Sequence, residues 1–205
     1  MPVFAAILLV ACSTVPPLDS EQRIRAPLYE QRVARLSGVD AWALEGRLAV
    51  SDDADGGSGQ LNWRQDGGGS RMDFHGALGR GAWRLLADES GAELEFADGT
   101  LHRARSIDSL VRRQVGWAVP VEALAWWVRG LAAPGRVQRR LLDEKGRLSE
   151  LRQDGWDIEF ARYGPVSGLG GDLTMPLRMT ARQADRTVKL AIRRWELPGA
   201  DGTLD

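Results

Sequence analysis

From Asp40 the chain alternates. Trp42, Leu44, Gly46, Leu48 and Val50 stand at every second position, with Ala43, Glu45, Arg47 and Ala49 between them. Successive side chains of a strand point to opposite faces, so this period of two defines a strand with one buried face. The pattern then repeats, punctuated by turn residues. Residues 55–59 read as a turn into Leu61 and Trp63, and 66–69 as a turn into Met72 and Phe74. The connection 75–81 leads to Trp83 and Leu85, residues 89–91 to Leu94 and Phe96, and Asp98-Gly99 to a short strand around Leu101. Six strands joined by short connections predict an antiparallel meander.

Two helical stretches interrupt it. Ser106 is placed to cap the first, with Ile107, Leu110, Val111 and Val115 as its apolar stripe. Pro120 opens the second, Val121, Leu124, Ala125 and Val128 share a face, and Gly130 stands just past its end. Strands resume after Pro134-Gly135: 137–142, 147–153, and a hairpin through Asp154-Gly155 into Trp156, Ile158 and Phe160. A glycine-rich loop over 164–172 precedes Leu177 and Met179, and the last strand carries Val188, Leu190 and Ile192 into Trp195. The expected fold is mainly β: about ten or eleven antiparallel strands in one strongly curved sheet, an incomplete barrel with an inserted α-helical lid. Ahead of it, a helix is expected from Ser20 or Pro27 to Leu36, with Tyr29, Val33 and Leu36 inward and an Arg- and Glu-rich face toward solvent.

Leu9-Val10-Ala11-Cys12 ends an uncharged, mostly apolar run that begins at Met1, and Cys12 is the only cysteine. This is the pattern of a bacterial lipoprotein signal. In that reading the Cys12 thiol would be alkylated by diacylglycerol, the bond after Ala11 cut, and the new amino group acylated. The run is too short to span a bilayer, which takes about 20 apolar residues. A lone cysteine in an exported chain calls for a purpose, and lipidation supplies one. Residues 1–11 therefore read as a signal peptide, 12–19 (with Pro16-Pro17) as a lipidated tether, 20–198 as the folded domain and 199–205 as a flexible tail. Ser13 follows the cysteine. In the resemblance to Gram-negative lipoproteins an aspartate there favours the inner membrane, so serine leaves the outer membrane as the address.

A net charge of −1 over 205 residues gives no basic excess for nucleic acid and no basic cluster for an anionic membrane surface. His75 and His102 are the only histidines, each on a strand or strand end, which leaves no metal-ligand set. No serine sits in a nucleophile elbow. Gly76, Gly79 and Gly81 join two strands and open no helix, so they form no phosphate loop. No catalytic residue and no cofactor is expected, and the chain reads as a binder. The positive signal is aromatic, with Trp42, Trp63, Phe74, Trp83, Phe96, Trp156 and Phe160 spread over successive strands. On spacing alone a filled core is favoured over a ligand cavity, because apolar faces ordinarily pack. A second signal is Leu78, between glycines in Gly76-Ala77-Leu78-Gly79. At the tip of a connection it either folds back onto its hairpin or projects.

Together these residues resemble the LolB family of outer-membrane lipoprotein receptors over about Trp42 to Leu197. The features that carry the resemblance are Trp42 with Glu45-Gly46-Arg47-Leu48-Ala49-Val50, Leu61-Asn62-Trp63-Arg64-Gln65, Gly76-Ala77-Leu78-Gly79-Arg80-Gly81, Pro120-Val121-Glu122-Ala123-Leu124 with Trp127 and Gly130, Gly146-Arg147-Leu148, Gln153-Asp154-Gly155-Trp156 and Trp195. Ala77 departs from a proline common in the family. The resemblance implies a monomer anchored through Cys12 to the periplasmic face of the outer membrane. It would take client lipoproteins from the periplasmic carrier LolA, hold their acyl chains in an apolar cavity and insert them into the inner leaflet. Under that reading Gly76, Leu78 and Gly79 form a membrane-delivery loop. Trp63, Phe74, Trp83, Leu94, Phe96 and Trp156, with Leu110, Leu124 and Trp127 of the lid, line the cavity. Three rivals stand beside it: a soluble carrier of the same fold, against which Cys12 argues; a scaffold lipoprotein with a filled core; and a surface hydrolase using dispersed carboxylates, which would need a polar cleft.

Overall fold

The computed structural model describes residues 20–52, 56–76, 81–166 and 173–198. Cys12, Leu78, Gly79 and the tail 199–205 lie outside them. Eleven antiparallel strands form one sheet: β1 (Trp42–Ser51), β2 (Gly56–Asp66), β3 (Gly69–Gly76), β4 (Trp83–Asp88), β5 (Gly91–Phe96), β6 (Leu101–Ala104), β7 (Val137–Leu142), β8 (Leu148–Gln153), β9 (Trp156–Pro165), β10 (Thr174–Gln183) and β11 (Arg186–Glu196). The spatial order is β6-β5-β4-β3-β2-β1-β11-β10-β9-β8-β7. Two meanders, β1–β6 and β7–β11, thus join through β1 and β11, and the sheet remains open between its edges β6 and β7.

The alternation seen in the sequence is the burial pattern. Trp42, Leu44, Leu48 and Val50 of β1 face one core with Leu61, Trp63, Met72, Phe74, Leu85 and Leu94. The outward positions carry ion pairs, within β3 from Arg71 to Asp73 and across strands from Arg84 to Asp73 and from Arg193 to Glu45. Two irregularities re-aim side chains. Glu45 pairs with Arg194 but Gly46 pairs with Ile192, so Arg193 is an extra residue and Trp195 returns to the buried face shared by Ile192. Two register shifts around Arg178 leave Leu177 half-buried while Met175, Met179 and Ala181 fill the core.

The run expected as a turn at 55–59 is strand from Gly56 on, paired residue by residue with β1. Glycine serves here because rings and backbone lie against it. A Cβ on Gly59 would collide with the His75 carbonyl oxygen and come within 2.7 Å of Phe74 Cζ.

α1 (Ser20–Ser37) crosses the end of the sheet that carries the start of β1 and the β7–β8 turn. Gln22 and Arg25 hold the end of β7 through Leu142, and Tyr29 Oη accepts a hydrogen bond from Ala132 N at 3.1 Å. Pro27 stands within the helix rather than opening it. The lid links the two edges. α2 (Ile107–Leu110), capped by Ser106, packs on β5 and β6 and continues as a π-helical turn, Val111–Val115, ended by left-handed Gly116. α3 (Val121–Trp127) is capped at Val128, and Gly130 at φ 73° stands just past its end as expected. Asp108 of α2 accepts the backbone N–H of Glu122 at 3.2 Å, so one carboxylate ties the two lid helices together. Among the described residues no helix is long and apolar enough to cross a membrane.

Candidate functional site

A cleft of about 380 Å³ lies between α3 and the end of the sheet that carries the start of β1 and the β2–β3 and β4–β5 turns. Its apolar surfaces are Val39, Trp42, Trp63, Ala92, Ile107, Val121, Ala125 and Trp126; its polar surfaces are Ser37, Gln65, Ser70 and Arg105, with Asp40, Asp88, Glu122 and Arg129. Trp63 is held by its Nε1–H to Ser70 Oγ at 3.0 Å and meets Trp42 edge-on at 5.2 Å between ring centres. Burial, then the charge of Asp108, pushes the Glu122 carboxyl above its ordinary value.

Two arginines sit in the interior beside this cleft. Arg129 is only 6% exposed. Its Nη1 donates to the carbonyls of Leu36 and Val39 at 3.1 and 3.2 Å and its Nε to Ala125 O at 3.1 Å, while the guanidinium lies 4.7 Å from the Trp126 ring centre. Arg32 of α1 donates to Thr174 O at 2.7 Å and to Arg129 O at 2.9 Å. Burial lowers the pKa of both. Among the described residues neither forms an ion pair, so both cations are held by carbonyls and aromatic faces. The face of α1 expected to meet only solvent therefore sends Arg32 into the core, where it closes the junction between α1, α3 and β10.

The expected cavity residues fall into four groups. Trp63 alone lines the cleft, in a cluster with Trp42 and Trp195. Phe74 and Trp83, cross-strand partners beside the stem of the 77–80 connection, stack at 5.2 Å. Trp127 and Trp156 meet at 6.1 Å, and Leu94, Leu110 and Leu124 pack in the same core. Phe96 is half-buried against His102 at the other end of β5, in a groove of about 300 Å³ with Asp73 and Trp83. Gly76 ends β3.

Gln153, fully buried, organises the third group. Its Oε1 accepts from Trp127 Nε1 at 3.0 Å and from Ala133 N at 2.9 Å, and its Nε2 donates to Ala133 O at 2.7 Å. The C-terminal end of α3 is thereby fastened to β8. The residue that sequence reasoning missed is Trp117, between the lid helices. It stands edge-on to Phe74 at 5.1 Å and to Trp83 at 6.1 Å, against Gly57. Its signal was the unexplained glycine run of β2, which leaves a ring-sized space. Trp83 Nε1 is buried without a partner among the described residues. Among the described residues no three His, Cys, Asp or Glu side chains lie close enough to share a metal ion.

An open antiparallel sheet, bridged at its edges by short helices over an aromatic interior, defines the lipoprotein-sorting class of fold. A solved domain from Vibrio parahaemolyticus, described as an outer-membrane lipoprotein-sorting protein, superimposes with a TM-score of 0.50 at 11% identity, covering 84% of this chain and 91% of that one. The sequence model of the family "Outer membrane lipoprotein LolB" matches residues 40–195, and the chain belongs to that family. Among its relatives, the outer-membrane lipoprotein LolB of Pseudomonas paraeruginosa is 36% identical over 193 residues, 94% of this chain and 92% of the relative. That of Pseudomonas fluorescens is 38% identical over 201 residues, 95% and 94% of the two chains.

Proposed function

We propose that this protein, held at the periplasmic face of the outer membrane by a lipidated Cys12, accepts lipoproteins from the soluble carrier LolA. It shelters their acyl chains beneath the lid and inserts them into the inner leaflet through the loop around Leu78. Membership of the LolB family supports the role in lipoprotein localisation and the outer-membrane address. The observation that carries the mechanism is the cleft beneath α3. It leads onto Trp42, Trp63, Ile107 and Val121 at a lid fastened to the sheet at its Trp127 end by Gln153.

At about 380 Å³ the cleft is near the lower end of the roughly 300–1,000 Å³ that drug-sized ligands fill, so acyl chains enter only as the lid moves. The glycines that bound the lid linkers, Gly116 and Gly130, are the hinges for that motion. The driving force is burial. About 15 methylenes at about 0.8 kcal/mol each make one acyl chain cost about 12 kcal/mol in water, so the chains pass directly from carrier to receptor to bilayer. No bond is made or broken and no cofactor takes part.

The tight packing of Leu94, Leu110 and Leu124 favours one other reading, a scaffold lipoprotein with a filled interior. The test is transfer of a labelled lipoprotein from loaded carrier to the protein and then to liposomes, with a fluorescent fatty acid as a direct probe of the interior. Saturable probe binding and cargo delivery are expected, with Cys12→Ser abolishing attachment to the outer membrane. No saturable binding would establish the scaffold reading instead, and tight membrane attachment of Cys12→Ser would refute the anchor.

A further inference from the structure

Acyl chains account for the apolar floor of the cleft and leave its polar wall without a task. That wall is built rather than incidental. Arg129 is nine-tenths buried, and Nη1 and Nε are spent on the carbonyls of Leu36, Val39 and Ala125. Among the described residues Nη2 has no acceptor, and Arg129 lines the cleft. Trp126 and Trp42 rings at 4.7 and 5.9 Å fix the guanidinium in place. Ser70 already accepts the Trp63 indole N–H, so its own hydroxyl hydrogen is available to an incoming acceptor, and Gln65 and Arg105 line the same cleft. Donor side chains therefore share one cleft with the apolar surfaces of Trp42, Trp63, Ile107 and Val121.

The charge balance tells which acceptor fits. Two cations, Arg105 and Arg129, share the cleft with three carboxylates, Asp40, Asp88 and Glu122. A phosphate or a free carboxylate entering here meets a net negative wall. A neutral group rich in carbonyl oxygens meets oriented donors and no such repulsion.

We propose that this cleft is the subsite for the polar head of an acylated cysteine. It holds the ester and amide carbonyls of a thioether-linked diacylglycerol through Arg129, Gln65 and Ser70. The acidic residues Asp40 and Glu122 turn away lipids whose heads carry phosphate or carboxylate. The inference rests on the acyl-chain reading above and gives it a selectivity: the receptor distinguishes a lipoprotein from the phospholipid in which it is embedded, although their chains are alike.

The test uses the full chain carrying Cys12→Ser and three probes of equal chain length: a synthetic triacylated cysteinyl peptide, phosphatidylglycerol and palmitate. Each competes with a fluorescent fatty acid. The peptide is expected to bind about tenfold or more tightly than either anionic lipid. Asp40→Asn combined with Glu122→Gln should narrow that gap by strengthening phosphatidylglycerol binding. Arg129→Lys should weaken the peptide about tenfold and leave palmitate unchanged. Should that variant fail to fold, Gln65→Leu with Arg105→Met on the rim replaces it. Equal affinity for all three probes, or parallel losses across them, overturns the subsite while leaving the acyl-chain reading intact. No binding of any probe overturns both.

Discussion

Replacing Gln153 by leucine keeps volume and removes polarity at the point where the lid is fastened. Three hydrogen bonds vanish: from Trp127 Nε1 at 3.0 Å, from Ala133 N at 2.9 Å and to Ala133 O at 2.7 Å. Gln153 is fully buried and Trp127 is 1% exposed, so water does not take over these partners without opening the core. A buried donor left unpaired costs about 1–3 kcal/mol, and two donors give about 2–6 kcal/mol, with about 4 as the central value. That is a large part of the roughly 5–15 kcal/mol that holds an ordinary domain together. Urea unfolding followed by tryptophan fluorescence reads it directly, since Trp127 and Trp156 report from the affected site. The midpoint should fall sharply with little change in slope, and hydrogen exchange should accelerate at Ala133 and along α3 before it does in β1 or β11. A loss below about 1 kcal/mol would refute the reasoning, because the side chain would then not be the sole partner of these groups.

Leu78→Glu should retain near-normal thermal stability and accept lipoprotein from the carrier, yet fail to release it into liposomes; unchanged release would remove the loop from delivery. A leucine pushed into the acyl boundary gains at most about 1.5–3 kcal/mol, enough to orient a tethered domain. Gly59→Ala should cost about 1–3 kcal/mol by overpacking against His75 and the Phe74 ring, measured by denaturant midpoint. Asp143 accepts from the backbone of Lys145 and Arg147 and pairs with the Arg147 guanidinium at 2.6 Å. Burial works against its charged form, but these partners more than offset it and hold the carboxyl below its ordinary value. Its stabilisation is thus complete above about pH 4 and lost as pH falls through the depressed value. Asp143→Asn should cost about 1–2 kcal/mol at pH 7 and flatten the acid limb of the stability profile.

The sheet was legible because its code is local. Alternation in β1 and the Asp154-Gly155 turn, with both residues at positive φ, follow from neighbouring residues alone. The β10–β11 turn was silent, since Ala184 adopts φ 53° without the glycine or asparagine that usually marks it. The glycines of β2 misled for the opposite reason: Gly57 serves the ring of Trp117 and Gly59 the ring of Phe74 and the His75 carbonyl, all remote in sequence. The aromatic residues could be named but not grouped, because periodicity gives the face and not the position along it. Arg32 and Arg129 escaped notice because a buried cation held by carbonyls has no partner with a sequence signature.

The meeting of β1 with β11 sets the order in which this molecule can be assembled. Within each meander every pairing joins neighbours in sequence, so hairpins form with short loops to close. The seam instead unites residues as distant as Leu44 and Trp195. Its closure entropy is large, and it is compensated only once both curved halves already exist. The halves therefore ripen separately. Their union completes the Trp42–Trp63–Trp195 cluster beside the cleft, so the mouth of the cleft is complete only once this seam has closed.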